Sequence, residues 1–352
     1  MLQRPFANAR VPRSAATTTK DEDVTDKTAP AFDVLMMNPL ASCVETGLAA
    51  SCKVHRYWEM ADRASDLATV APNIRAIVSG GDDHLPVDGA LMGSLPALDI
   101  VANFGVGYNH VDAAWAGSNG IIVTHTPDVL NEEVADTAFG LMLGALRQLR
   151  RAENHLRAGK WPQGSFELTA SLRGRTVGIF GLGRIGKVIA KRCEAFGLPV
   201  VYHGRHRQPD VTYPYFDSLV GLAAHCDVLV AIAPGGAGTA GAINAAVLDA
   251  LGPDGVLVNV ARGTVVDQDA LIVALREKRI LTAALDVFAD EPQVPQALID
   301  MEHVVLTPHV GSGTHPTRNA MGQLVVDNIR AWMDGKGPLT PVPETPWPAT
   351  AK

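Results

Sequence analysis

From residue 32 onward, apolar residues come in short runs of strand length. FDVLMM (32–37), KVHR (53–56), RAIVS (75–79), LDIVANF (98–104) and GIIVT (120–124) form a first set. Gly, Pro and Asp punctuation and stretches with helical spacing separate them. Near-continuous apolar strands alternating with helices predict a parallel sheet with crossover helices. A second set follows: RTVGIF (175–180), PVVYH (199–203), DVLVAI (227–232), GVLVNV (255–260), LTAALD (281–286) and HVVLT (303–307), with a helix over 184–196.

Between the sets runs a long helical pattern, 131–151. Asn131 is its expected N-cap, Glu132 and Glu133 sit in the first turn, and arginines close the last. A last helical pattern, about 317–334, lies beyond the second set. This order predicts an α/β chain with two doubly wound parallel-sheet domains. A Rossmann-type nucleotide domain (129–310) is inserted into a flavodoxin-like substrate-binding domain (31–128 plus 311–340). Residues 1–30 show no periodicity and read as a disordered tail. Their first twenty hold Arg4, Arg10 and Arg13 and no acid, a faint likeness to an organelle transit peptide.

Composition narrows the function classes. Of 352 residues, 47% are apolar and 19% charged, which excludes wholesale disorder. A net charge of -7 argues against broad nucleic-acid binding. No apolar run reaches the ~18–20 residues of a membrane span. Cys43, Cys52, Cys193 and Cys226 form no CxxC pair and no zinc spacing, so no metal site is expected and the thiols read as reduced, in a cytoplasmic protein.

GLGRIG (Gly181, Leu182, Gly183, Arg184, Ile185, Gly186) follows a strand and opens a helix, the context in which this spacing binds a dinucleotide. Gly181 permits the turn, Gly183 lets the backbone approach a pyrophosphate, and Gly186 packs helix on strand. The next strand ends without the acid that would hold a ribose 2′-hydroxyl. Arg205, His206 and Arg207 stand there instead, with His203 just before them. An arginine fork suits a 2′-phosphate, so NADP(H) is expected. Ala233 and Pro234 after one strand of the set, and Val260 and Ala261 at the end of the next, are expected beside the cofactor.

Three further residues each follow a strand: Arg262 in NVARGTVVD, Glu291 in LDVFADEP, His309 in TPHVGSGT. Ligands of open α/β sheets bind at carboxyl strand ends. Arg, Glu and His there suit reduction of a 2-keto acid. Arginine binds the carboxylate and polarises the ketone, histidine protonates the developing alkoxide, and a glutamate beside it favours the charged ring.

These motifs, with FGVGYNHVD (104–112), resemble the D-isomer-specific 2-hydroxyacid dehydrogenases from about residue 32 to 343. RYWE, YHGRHR and TPHVGSGT carry a narrower likeness to the NADPH-dependent glyoxylate/hydroxypyruvate reductases and their hydroxyphenylpyruvate-reductase-like branch. The resemblance implies Arg262, Glu291 and His309 as the catalytic triad, and Val106 and Gly107 as a backbone cradle for the substrate carboxylate. It implies Asp286 near the nicotinamide carboxamide, and a homodimer. The glycine-rich turn 235–238 departs from the family. Corepressors that sense a dinucleotide share this scaffold, but they read NAD(H), against which the basic loop argues.

Overall fold

The computed structural model describes residues 32–80 and 85–347. The tail read over 1–30, and residues 81–84, lie outside the described residues.

Two parallel sheets carry the structure. The first contains β1 (Phe32–Met36), β2 (Cys52–Arg56), β3 (Ile74–Gly80), β4 (Ile100–Phe104) and β5 (Ile122–Thr124), in the order β2-β1-β3-β4-β5. That is the flavodoxin-like order. The second contains β6 (Val177–Phe180), β7 (Val200–His203), β8 (Tyr215–Phe216), β9 (Val228–Ala231), β10 (Val256–Asn259), β11 (Thr282–Leu285) and β12 (Val305–Leu306). Its order, β12-β11-β10-β9-β6-β7-β8, is the Rossmann order with one added edge strand. The inner strands of both sheets are buried on both faces, as their continuous Val, Ile, Leu and Ala runs require.

The helix His315–Met333 returns to the first sheet, packing on β4 and the helix Ser42–Ala49. The helix Asn131–Leu146 packs against β10, β11 and the helix Arg184–Ala195. Glu133 ties these long helices together: its carboxylate accepts from Thr314 Oγ1 (3.0 Å) and Thr317 Oγ1 (2.9 Å).

Three details differ from expectation. The helix over 131–151 is two helices, Asn131–Leu146 and Leu149–Arg157, broken at Gln148 in the left-handed region. The Gln148 amide donates to the carbonyls of Ala145 (2.7 Å) and His303 (3.0 Å), satisfying a helix end and tying it to the approach to β12. Asn131 is no N-cap: it is the first helical residue, and its amide donates to Asp128 Oδ1 (3.1 Å). β8 is too short to leave a pattern; it is placed by Tyr202 N–H donating to Pro214 O (3.0 Å) and by His203 Nδ1 donating to Phe216 O (2.8 Å).

Candidate active site

The glycine turn follows β6. Gly181 takes φ 103°, and a Cβ there would lie 2.6 Å from the Ala233 backbone nitrogen. A Cβ on Gly186 would overlap the Gly181 carbonyl oxygen. Gly183 faces open space, with nothing within 4 Å of an added Cβ. The helix Arg184–Ala195 starts there with no side-chain cap, so its first-turn N–H groups remain available. Open backbone donors and a glycine facing a void fit a diphosphate.

Gln208 joins this turn to the basic loop. Its N–H donates to Tyr202 Oη (2.8 Å), and its side-chain amide to Leu182 O (2.5 Å). Arg205, His206 and Arg207 are exposed and make no ion pair among the described residues. Asp210, the next acid, is engaged by Lys187 at 2.6 Å. His203 is not part of the exposed set: its ring is held by Phe216 O and stacks on Phe180. Arg184 pairs with Asp128 (3.2 Å). The Ala233, Val260 and Ala261 side chains are buried, so only their backbone is available to a ligand, while Pro234 is exposed.

Arg262 follows β10. Asn259 shapes its turn by accepting from Ala261 N–H (3.1 Å) and donating to Arg262 O (3.1 Å). Arg262 Nη1 donates to Ala261 O (2.7 Å). The guanidinium lies against Gly107, where a Cβ would overlap it. Gly235 makes room for the arginine stem: a Cβ there would lie 2.8 Å from Arg262 Cγ. That contact explains one glycine of the unusual turn.

Glu291 Oε2 lies 2.7 Å from His309 Nδ1, and Oε1 accepts from Phe288 N–H (2.9 Å). Burial pushes the Glu291 carboxyl up. The His309 hydrogen bond and charge, the Phe288 N–H and Arg262 outweigh it and leave Glu291 below its ordinary value. His309 itself has φ 52°. Asp286, only 2% exposed, holds that turn: Oδ1 accepts from Thr307 Oγ1 (2.6 Å) and Val310 N–H (2.8 Å), and Oδ2 from Gly311 N–H (2.8 Å).

The loop after β4 faces Arg262 from the first sheet. Buried Asn103 donates to the carbonyls of Gly105 (2.9 Å) and Gly107 (3.2 Å). His125 Nδ1 lies 3.1 Å from Val106 O. Burial pushes His125 below its ordinary value, and because its partner is a carbonyl, Nδ1 is the donor. With three carbonyls held back, the Val106 and Gly107 N–H groups donate to nothing among the described residues.

The sequence-predicted Val106, Gly107, Arg262, Glu291 and His309 are therefore brought together: the Arg262 guanidinium lies against Gly107 and near Glu291, which holds His309. The positions it did not find are Asn103, His125, Gln208, Gly235 and Asn259. Asn103 and Asn259 do leave a signal: each is a lone amide at the end of an apolar strand, where a buried polar group needs partners.

Known proteins share this architecture. Residues 139–311 match the family model for the D-isomer specific 2-hydroxyacid dehydrogenase, NAD binding domain. The glyoxylate/hydroxypyruvate reductase A of Arabidopsis thaliana is 48% identical over 309 residues, covering 88% of this chain and 98% of that protein. The chain belongs to the D-isomer specific 2-hydroxyacid dehydrogenase family. Among its members, the hydroxyphenylpyruvate reductase of Plectranthus scutellarioides is 46% identical over 89% of this chain and 99% of its own length. The structure of an NADPH-dependent glyoxylate/hydroxypyruvate reductase from Sinorhizobium meliloti, in complex with NADP and malonate, superposes with TM-score 0.85 at 48% identity. It covers 92% of this chain and 100% of that one.

Proposed function

We propose that this dehydrogenase reduces a small 2-keto acid, of the glyoxylate, hydroxypyruvate or hydroxyphenylpyruvate kind, to the D-2-hydroxy acid with NADPH. The His309–Glu291 pair beside Arg262 carries the reading. The cofactor supplies the hydride when bound. Gly181, Gly183 and Gly186 would admit its diphosphate, and Arg205, His206 and Arg207 its 2′-phosphate. Leu182, Arg184, Ile185, Ala233, Pro234, Val260, Ala261 and Asp286 complete its surroundings.

The substrate carboxylate is held by the Val106 and Gly107 N–H groups and the Arg262 guanidinium. Arg262 also polarises the ketone oxygen, where charge builds. His309, its Nδ1 engaged by Glu291, delivers the proton from Nε2 to that oxygen. Asp286 acts through the backbone of residues 309–311, keeping the ring aimed. Names borne by relatives of nearly half-identical sequence support the substrate class.

The domain division 31–128 plus 311–340 and 129–310 accords with which sheet each long helix covers. A homodimer accords with the apolar arm after Gln148, where Trp161 and Leu168 are exposed. Among the described residues no helix is long and apolar enough to cross a membrane. A cytoplasmic setting accords with four free thiols, two of which (Cys193 and Cys226) burial pushes up to about 12.

The test is NADPH oxidation with glyoxylate, hydroxypyruvate and hydroxyphenylpyruvate, with His309→Gln alongside. Turnover should fall about 10²–10⁴-fold in the variant while the KM for NADPH moves little. Near-normal turnover would remove His309 from the mechanism, and a wild type inert on all three acids would refute the reading.

A further inference from the structure

β5 is an outer strand of the first sheet, and its free edge is covered. Residues 338–347, after the last helix, run beside it as a strap. Pro341 bridges antiparallel to Thr124, and Val342 N–H donates to Val123 O (2.9 Å). Thr345 Oγ1 accepts from Val123 N–H (3.0 Å) and donates to Val123 O (3.1 Å). Gly117, in the helix Ala113–Ser118, gives the strap room: a Cβ there would lie 2.5 Å from the Glu344 carbonyl oxygen. Backbone and neighbouring residues therefore seat Glu344 without the help of its own side chain.

That side chain is exposed. Among the described residues it makes one hydrogen bond, Oε2 accepting from Tyr108 Oη (2.9 Å). Tyr108 follows Gly107 directly. Burial, then Glu344, pushes its hydroxyl up to about 12, so it remains a donor. The Tyr108 ring meets the His125 ring edge-on, with centres 5.7 Å apart, and His125 holds Val106 O. The strap also holds His125 itself, whose N–H donates to Thr340 O (3.1 Å). On the strand side the hold on this loop is incomplete: the buried Asn103 Oδ1 and Thr126 Oγ1 have no partner among the described residues.

We propose that Glu344 and Tyr108 are positioning residues for substrate binding: the strap carboxylate, through the Tyr108 hydroxyl, sets the Val106–Gly107 backbone so that its N–H groups meet a keto acid carboxylate. Both act through the loop rather than on the substrate. Donors held in place before the ligand arrives bind it without the cost of ordering them, and a site on a loop depends on the residues that brace it. Freeing the loop therefore weakens substrate binding. The His309–Glu291 pair and the glycine turn stand on the other sheet and do not depend on the strap.

This inference rests on the keto acid reading, and the experiment separates the two. Steady-state reduction of glyoxylate and hydroxypyruvate with NADPH is measured in wild type, Tyr108→Phe, Glu344→Ala, Glu344→Gln and the double variant Tyr108→Phe with Glu344→Ala. Each of Tyr108→Phe and Glu344→Ala should raise keto acid KM about fivefold. The double variant should raise it by the same factor rather than by the product, because both changes break one bond. Glu344→Gln, whose amide oxygen still accepts, should fall between wild type and Glu344→Ala. In all of them kcat and the NADPH KM should stay within about twofold of wild type. An unchanged keto acid KM in either single variant, a multiplicative double variant, or a matching loss in kcat and NADPH KM overturns the positioning role alone. Wild type that reduces neither acid overturns the keto acid reading and the positioning role with it.

Discussion

His309 sits at φ 52°, a conformation that costs a side-chain-bearing residue energy, and three donors on the Asp286 carboxylate hold it there. The same economy governs Glu291, whose two oxygens are spent on His309 and the Phe288 N–H. Because its carboxyl is lowered in the folded state, any stability from its charge is complete above the ordinary glutamate value and is lost as pH falls through the lowered one. Glu291→Gln should therefore differ in Tm from wild type most near neutrality. The difference should shrink steadily as pH drops below 4.5; a constant gap down to pH 3 (roughly the lower end of the carboxylate range) would deny the linkage. If Arg262 serves binding and chemistry at once, as proposed, Arg262→Lys, which loses the planar fork, should raise keto acid KM and lower kcat together. A rise in KM alone would make it a binding residue only. Arg262, Glu291 and His309 were legible in the sequence because each follows an apolar strand of its own. His125 was not, because its partner is a backbone carbonyl, which no side-chain pattern records; Asn103 shows in the sequence only as a lone amide in an apolar strand.

Loops after strands do the placing, and their logic is steric. Gly107 is glycine because the Arg262 guanidinium fills the space a methyl would take. Gly107→Ala must push the arginine or the loop aside, and keto acid KM should rise at least about tenfold, which is ~1.4 kcal/mol. Asn103→Leu leaves the Gly105 and Gly107 carbonyls without donors, at about 1–3 kcal/mol for each. It should raise the same KM while the NADPH KM stays put, since the glycine turn belongs to the other sheet. Equal rises in both constants would mean general loosening. On that other sheet, Gln208 holds the basic loop to Leu182, and Asp210 is taken by Lys187. On the proposed reading Arg205 and Arg207 meet the 2′-phosphate, and each would be worth roughly 1.5–3 kcal/mol as a charged hydrogen bond. Arg205→Ala with Arg207→Ala should erase a preference for NADPH over NADH of at least about tenfold, through the NADPH KM. A wild type that favours NADH would show that the loop was misread. Strand positions were readable because buried parallel strands are continuous apolar runs. The break at Gln148 was not, because its cause is a distant carbonyl, His303 O, that the amide reaches only in the folded chain.

At the scale of the whole molecule, neither sheet holds the site alone. The first brings Val106 and Gly107, the second Arg262, Glu291 and His309, and Glu133 on the connecting helix grips the start of the helix that returns. The sequence already implied this division, because its second strand set is complete and the last helix falls outside it. What single-chain logic leaves unexplained is the arm beyond Gln148. Trp161 is 65% exposed and Leu168 fully exposed, with Leu149 and Leu156 more than half exposed along the same arm. Monomers seldom leave large apolar side chains together in water, and such patches mark contact surfaces. A second copy covering each arm would bury them reciprocally about a two-fold axis. Light scattering should accordingly give twice the chain mass. Trp161→Asp with Leu168→Asp should give the chain mass with an unchanged far-UV circular dichroism spectrum, since neither side chain supports its own fold. A monomeric wild type, or a double variant that stays dimeric, would place the contact elsewhere and leave this arm without a partner.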